Sequence, residues 1–308
     1  MPRVQGVPDL RRNWQTIAFL STTADTGRAD FHGVRHMTAS FDFSGKRVFV
    51  FGGTSGINLG IARCFARAGA DVSVASRSQD KVDTAVAELE GLGSKALGYA
   101  LDVRHEDAVE AALAAHAEAA GEIDILVSGA AGNFPALAND MSPHGFKAVV
   151  DIDLLGSFHV LRYAYPHLKK PGASVINLSA PQAFVAMPMQ SHVCAAKAGV
   201  DMLTRTLALE WGAAGVRVNS IAPGPIADTE GMRRLAPTEA IKARYVKTVP
   251  LQRFGTADEI GQAAMFLSSD AAVYISGVVL PVDGGWSVAG AGAAALAMTE
   301  LAQSSPHG

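Results

Sequence analysis

Apolar segments of strand length alternate with segments of helical character along most of the chain, and this alternation limits the fold more than any other feature. Seven strands are predicted, at residues 47–51, 71–76, 96–101, 123–127, 174–178, 216–221 and 278–282. Helices are predicted between them, ending near 68, 90 and 120 and spanning 146–168, 191–213 and 257–267. Such alternation builds βαβ units with right-handed crossovers. The sequence therefore predicts an α/β fold with one doubly wound parallel sheet and helices on both faces.

The same pattern predicts the domain organisation. The 308 residues are 49% hydrophobic and 18% charged, which suits one large domain with a well-buried core. We expect this domain to span residues 44–286, with a polar insertion at 226–249. An N-terminal extension at 1–43 and a C-terminal tail at 287–308 lack clear periodicity.

A glycine-rich turn, residues 51–60 (FGGTSGINLG), follows the first strand and opens the first helix. Glycines let the backbone approach a pyrophosphate, and a helix N-terminus supplies N–H donors and a positive dipole. Its place after the leading strand favours a dinucleotide-binding, Rossmann-like turn over an ordinary one. The residues expected to bind the nucleotide here are Gly52, Thr54, Ser55, Gly56 and Ile57.

Charged residues after the second and third strands refine the cofactor prediction. A carboxylate after the second strand would bind the ribose 2′-hydroxyl of NAD, but this chain has Ser76-Arg77-Ser78. A guanidinium between hydroxyls favours the 2′-phosphate of NADP(H). After the third strand, Asp102 and Val103 are placed to contact the adenine.

Composition excludes several other classes of function. A net charge of −3 is not that of a general nucleic-acid binder. Two cysteines, Cys64 and Cys194, do not indicate a disulfide framework. The sequence has no apolar run like a membrane span or secretory signal. We therefore expect a cytoplasmic protein without a nucleic-acid, membrane or metal partner.

Motifs across residues 43–285 resemble those of the short-chain dehydrogenases/reductases, and most closely the peroxisomal kind of 2,4-dienoyl-CoA reductase. Beyond the glycine-rich turn, they are residues 130–134 (AAGNF), 151–153 (DID), His192 with Lys197, 222–226 (APGPI), 229–235 (TEGMRRL) and 283–285 (DGG). The segments 132–134 and 229–235 are the more discriminating, because the glycine-rich turn and Lys197 mark only the wider family.

The resemblance implies a role for each matching position. Asn133, Asp153 and Lys197 would be catalytic: Asn133 would bind the thioester carbonyl, and Asp153, Lys197 and a water would relay a proton. Lys197 would also hold the nicotinamide ribose. Further cofactor contacts would come from Ala130, Pro223, Gly224 and Ile226. The acyl-CoA substrate would be lined by Arg104, Phe134, Ser142 and Arg234. The family also implies a homo-oligomer, a tetramer or dimer joined through the helices near Ser157 and Met202.

Six positions depart from patterns of the family. The catalytic tyrosine expected four residues before Lys197 is Val193, and the usual serine is Ala180. The tyrosine of the mitochondrial reductases is Gln182. Asn58 stands where glycine is usual, and we expect the turn to survive because Asn tolerates left-handed backbone. The family's Asn-Asn or Asn-Cys before Ala130 is Ser128-Gly129.

These departures separate three hypotheses. Reduction of a dienoyl thioester forms a dienolate instead of an alkoxide, so it needs a donor at the thioester oxygen but no phenol. An NADPH-dependent 2,4-dienoyl-CoA reductase is therefore the leading prediction. The alternatives are an NADP-linked reductase of another activated alkene or carbonyl substrate, and a catalytically silent NADP-binding protein. We interpret His192 as a core or surface histidine.

Overall fold

The computed structural model of the protein describes residues 40–289. Within them, one sheet of seven parallel strands has the order β3-β2-β1-β4-β5-β6-β7. The strands are β1 (Arg47–Phe51), β2 (Asp71–Ser76), β3 (Leu97–Ala100), β4 (Ile125–Ser128), β5 (Ser174–Leu178), β6 (Arg217–Pro223) and β7 (Val279–Val282). The strand order reverses between β1 and β4, which opens a crevice at their carboxyl ends. The predicted doubly wound α/β fold is confirmed.

Helices cover both faces of this sheet. They are α1 (Gly56–Arg67), α2 (Gln79–Glu90), α3 (Glu106–Ala120), α4 (Pro143–Val150), α5 (Gly156–Ala164), α6 (Ser191–Gly212), α7 (Glu230–Leu235), α8 (Glu239–Lys247) and α9 (Ala257–Ser268). Alternate residues of β1 enter two cores: Val48 and Val50 pack with α1, α2 and α9, and Phe49 and Phe51 pack with α3, α5 and α6. This two-sided burial explains the uninterrupted apolar sequence of β1.

Two predicted segments differ from what the structure contains. The single helix expected at 146–168 begins earlier and is broken by a π-helical turn, Asp151–Leu155, between α4 and α5. The polar insertion at 226–249 contains α7 and α8, whose first turns are capped by the hydroxyls of Thr229 and Thr238. Neither helix has a buried residue, so neither has the apolar stripe by which helices are recognised in a sequence.

Most of the predicted N-terminal extension and C-terminal tail lies outside the described residues. Phe43, at the end of that extension, is 3% exposed and packs edge-on against Phe65, with ring centroids 4.9 Å apart. Between residues 40 and 289, no helix is both long and apolar enough to cross a membrane.

Candidate active site

The turn between β1 and α1 is shaped as a cradle for an anionic ligand. Gly52 and Gly56 adopt left-handed backbone, with φ of 77° and 53°. A Cβ on Gly52 would lie 3.0 Å from the Ala130 nitrogen, whereas one on Gly56 would meet nothing closer than Thr229, at 3.8 Å. Gly52 therefore lets this turn approach the backbone at Ala130 closely. Gly56 permits a turn that leaves the N-terminus of α1 open to a phosphate.

Asn58 does not have the backbone that we expected of it. The positive φ values of this turn belong to Gly52 and Gly56, and Asn58 lies within the first turn of α1. The turn survives because position 58 does not need left-handed backbone. The Asn58 side chain instead donates from Nδ2 to the Gly129 carbonyl oxygen at 2.7 Å, across to the end of β4.

A cleft of about 410 Å³ runs from this turn along the carboxyl ends of the strands. The predicted residues that line it are Gly52, Thr54, Ser55, Ile57, Arg77, Asp102, Val103, Ala130, Lys197 and Pro223. The cleft is also lined by Asn58, Lys81 and Ile152, which the sequence analysis did not assign to the site, and by Ser76 and Ser78, the hydroxyls beside Arg77. Lys81 lies four residues after Arg77, near the start of α2. This spacing could have indicated that both side chains face the same site.

Two predicted cofactor residues lie away from this cleft. Ile226 is 3% exposed and belongs to the core beside α1 and α9. Gly224 lets the chain pass close to the segment after β7, because a Cβ there would lie 2.6 Å from the Cβ of Asp283. Both positions thus support the loop after β6, whereas the neighbouring Pro223 lines the cleft.

At the adenosine end of the cleft, Asp102 is already engaged by Arg104. The guanidinium donates from Nη2 to Oδ2 at 2.6 Å and from Nε to both carboxylate oxygens at 3.1 Å. These bonds hold the pKa of Asp102 below its usual value, and the charge of Arg77 adds to the effect. Asp102, predicted to contact the adenine, and Arg104, predicted to contact the acyl-CoA, therefore form one ion pair. Within residues 40–289, Arg77 and Lys81 are exposed cations of this end outside that pair.

At the other end lies a buried ion pair between Asp153 and Lys197. The Lys197 ammonium is 3.4 Å from Asp153 Oδ2 and donates to the Leu178 carbonyl oxygen at 2.8 Å. The two side chains are 1% and 6% exposed. Gly199 permits the close approach of α6, because a Cβ there would lie 2.9 Å from the side chain of Leu154.

The π-helical turn places Asp153 in this pair. It inserts a wide turn between α4 and α5, and such turns often occur at functional sites. The other carboxylate oxygen of Asp153, Oδ1, accepts from the Gly132 backbone nitrogen at 2.7 Å. Asp153 therefore links Lys197 directly to the segment that carries Asn133.

Asn133 is also held by a residue of the polar insertion at 226–249. Arg234 on α7 donates from Nη1 to the Asn133 carbonyl oxygen at 2.9 Å and pairs with Glu230 at 3.0 Å. The Asn133 side-chain oxygen is buried and has no hydrogen-bond partner among the residues that the structure describes. The side-chain amide therefore has an unpaired acceptor, and the backbone that carries it is fixed by Arg234.

Phe134 and Ser142 lie together beside this segment. A Cβ on Gly145 would be 3.1 Å from the Phe134 ring and 3.3 Å from the Ser142 hydroxyl. Ser142 accepts from the Gly145 nitrogen at 3.0 Å as the N-cap of α4, and its O–H remains able to donate to another group. The Phe134 ring packs edge-on against His192, with centroids 4.6 Å apart.

His192 is a core residue, as the more conservative interpretation had it. It is fully buried, and neither ring nitrogen has a hydrogen-bond partner within the described part of the chain. Burial lowers the pKa of His192 below its usual value, so the imidazole is neutral at pH 7. It packs behind the Phe134 ring, a contact that its sequence position alone did not indicate.

The place of the missing tyrosine is filled by apolar packing. Val193 is 3% exposed. One further titratable group lies nearby: Asp201, one helical turn after Lys197, is 3% exposed, and burial raises the pKa of its carboxyl against the opposing charges of Arg205 and Lys197. Among residues 40–289, no cluster of His, Cys, Asp and Glu is suited to hold a metal ion.

Fold and site together define a nucleotide-binding protein of the doubly wound α/β class. A family model described as "Enoyl-(Acyl carrier protein) reductase", from the short-chain dehydrogenases/reductases, matches residues 52–287. An Arabidopsis thaliana protein named "Peroxisomal 2,4-dienoyl-CoA reductase [(3E)-enoyl-CoA-producing]" is 42% identical over 78% of this chain and 84% of its own.

Two bacterial proteins are similarly close. A Bacillus subtilis protein named "Probable 2,4-dienoyl-CoA reductase [(2E)-enoyl-CoA-producing]" is 39% identical over 78% of this chain and 96% of its own. The crystal structure of a short chain dehydrogenase from Bacillus anthracis superposes with a TM-score of 0.73 at 39% identity, covering 79% of this chain and 96% of that one. The chain belongs to the short-chain dehydrogenase/reductase family, whose fold implies a nicotinamide cofactor.

Proposed function

We propose that this chain is an NADPH-dependent reductase of 2,4-dienoyl-CoA, or of a similar enoyl thioester. One observation carries the proposal: the buried Asp153–Lys197 pair is joined through Gly132 to Asn133, while the tyrosine position is the buried Val193. The site thus keeps a proton-handling pair and an amide donor but lacks the phenol that carbonyl reduction uses. This combination suits a reaction that ends with protonation of carbon.

Asn133 would stabilise the charge that develops on the thioester oxygen. Its backbone is fixed by Arg234 at its own carbonyl and by Asp153 at the preceding residue. A preorganised donor of this kind loses little reorganisation energy and typically contributes about 3 kcal/mol to the transition state. The dienolate oxygen would therefore lie at the Asn133 amide.

Asp153 and Lys197 would deliver the proton to the dienolate carbon through an ordered water. The ammonium and the carboxylate lie 3.4 Å apart and are almost fully buried, so each is the counter-charge of the other. Lys197 would then act as the proton source.

The residues of the cleft fit NADPH. The Gly52–Ile57 turn and the N-terminus of α1 would hold the pyrophosphate, and Lys197 the nicotinamide ribose. Arg77 and Lys81, with Ser76 and Ser78 beside them, offer two cations and two hydroxyls to a 2′-phosphate. When bound, the cofactor supplies the hydride, and the protein supplies position and electric field.

The acyl-CoA would lie between Phe134, the N-terminus of α4 and the insertion. Arg104 and Arg234 are exposed cations, and each pairs with a carboxylate, Asp102 or Glu230. Binding the CoA phosphates would require each arginine to share or exchange its partner. Exposed ion pairs of this kind are weak, so such an exchange costs little.

The relatives and the surface support two further parts of the proposal. The named dienoyl-CoA reductases from Arabidopsis thaliana and Bacillus subtilis each match 78% of this chain, which favours this substrate class over other activated alkenes. Exposed apolar side chains on and next to α5 and α6 favour assembly of copies through these helices; they are Leu155, Phe158, Met202 and Leu209.

The test is a spectrophotometric assay of NADPH oxidation with a short 2,4-dienoyl-CoA. We expect rapid oxidation that requires the thioester, with little activity toward a 3-ketoacyl-CoA and weaker activity with NADH. Val193→Tyr is a useful companion variant, because it should not raise the dienoyl-CoA rate. Tight NADPH binding without oxidation would reject the proposal in favour of another substrate or a silent nucleotide-binding role.

A further inference from the structure

The most specific departure of this chain from its family lies at two positions that are in contact. Asn58, in the first turn of α1, and Gly129, at the end of β4, are 71 residues apart and share a 2.7 Å hydrogen bond. A side chain is present at 58 and absent at 129, the reverse of the family pattern that the sequence comparison indicated. The two departures therefore belong together.

Steric exclusion makes the two positions dependent on one another. A Cβ on Gly129 would lie 2.6 Å from both Cγ and Nδ2 of Asn58. A Cβ on Gly52 would lie 2.9 Å from the same Nδ2 atom. The Asn58 amide thus fills the gap between the turn after β1 and the turn after β4, and no side chain can enter that gap from the β4 side while Asn58 occupies it.

The residues around this gap form one wall of the dinucleotide cleft. Asn58, Gly129 and Ala130 all line the cleft, and Asn133 follows four residues after Gly129. Asp153 holds this segment from its far end through the Gly132 nitrogen at 2.7 Å. The segment 129–133 is therefore fixed at one end by Asn58 and at the other by Asp153.

We infer that Asn58 is a positioning residue for the dinucleotide site: its amide replaces the absent side chain at 129 and fixes the Gly129 carbonyl, and with it the wall formed by Ala130. The inference rests on the proposed function in one respect only, that the ligand of the cleft is a nicotinamide dinucleotide. It does not depend on the acyl substrate.

A double-mutant cycle of Asn58→Ala and Gly129→Ala tests the coupling. The dissociation constant of NADPH is measured by calorimetry and by the fluorescence of the bound nicotinamide, without any acyl-CoA. Each single variant loses the bond to the carbonyl, by deletion or by steric displacement, and should raise the constant about tenfold. The double variant removes the clash, so it should resemble Asn58→Ala instead of showing the roughly hundredfold loss of two independent effects.

Asn58→Asp separates the effect of the hydrogen bond to Gly129 from the effect of side-chain volume. It keeps the size of the side chain but replaces the donor by an acceptor that faces the Gly129 carbonyl, so NADPH should bind at least as weakly as to Asn58→Ala. Melting temperatures of the nucleotide-free variants report stability separately.

Three results would decide against the inference. They are additive losses in the double variant, an Asn58→Asp variant that binds like the wild type, and lower melting temperatures with unchanged NADPH affinity. If the wild-type chain bound neither NADPH nor NADH, the proposed function would fail and this inference with it. If the wild-type chain bound NADPH but reduced no dienoyl-CoA, only the proposed substrate would be rejected. The double-mutant cycle would still test the inference, because it measures NADPH binding alone.

Discussion

The adenosine end and the reaction end of the cleft differ in how their residues are held. At the adenosine end, the ligand-facing groups come from short stretches directly after β1, β2 and β3, and Asp102 is bonded to Arg104 two residues away. At the reaction end, Asn133 is fixed by Arg234, 101 residues away, and Gly132 by Asp153, 21 residues away. Local sequence therefore builds most of the adenosine end, whereas contacts between distant residues, that of Asn58 with Gly129 among them, assemble the rest of the cleft.

This difference predicts that the reaction end is the more sensitive to single substitutions. Loss of one long-range partner leaves a buried group without compensation, but loss of one exposed cation near the nucleotide removes only its own contact. The four predictions that follow compare the two ends, beginning with the largest expected effect.

Lys197→Met should cause the largest loss. It leaves Asp153, which is 1% exposed, without its counter-charge, and breaking such a buried pair costs about 3–5 kcal/mol of stability. Catalysis should fall by about 10²–10⁴-fold because the proton donor is lost. Urea unfolding and NADPH oxidation measure the two effects.

A second substitution supplies the control for this pair. Adding Asp153→Asn to Lys197→Met removes the uncompensated charge, so it should restore much of the stability but none of the activity. Equal stability of Lys197→Met and the wild type would mean that Asp153 is neutral or solvated, and would reject the ion pair as the organiser of this end.

Asn133→Ala should come next. Losing one preorganised donor at the developing oxyanion lowers kcat by about 10²–10³-fold. NADPH affinity should be unchanged, because the backbone bonds from Arg234 and to Asp153 do not involve this side chain. Asn133→Asp, which keeps the shape but cannot donate when ionised, should be as slow; a fast Asn133→Asp variant would assign the donor elsewhere.

Arg77→Ala probes the adenosine end. Removing a charge-assisted contact to the 2′-phosphate should weaken NADPH about 10–100-fold. NADH affinity and the melting temperature should change little, since Arg77 is exposed. Lys81→Ala should show the same direction with a smaller effect. If NADPH and NADH lost affinity equally, Arg77 and Lys81 would not bind the 2′-phosphate that distinguishes them.

The sequence allowed the seven strands, the helices between most of them and the glycine-rich turn to be predicted because each depends on neighbouring residues and a regular period. It also allowed Asp153 and Lys197 to be selected through a family resemblance, but not their 3.4 Å contact, which depends on the π-helical turn. Asn58 was noticed for its backbone, whereas its role lies in its side chain and in a residue 71 positions away. Such pairings leave no local pattern to detect.

Arg234→Ala tests the reaction end at its most exposed contact and should have the smallest effect. It removes the bond to the Asn133 carbonyl oxygen and a cation near the proposed acyl-CoA site. A lost hydrogen bond of this kind corresponds to about fivefold in KM for the dienoyl-CoA. Arg233→Ala is the matched control, because Arg233 lies on the same helix and pairs with the same Glu230 but does not reach Asn133. If the two variants lost the same amount, and lost it only at low salt, the arginines would act as general surface charge, and the insertion would have no specific part in fixing Asn133.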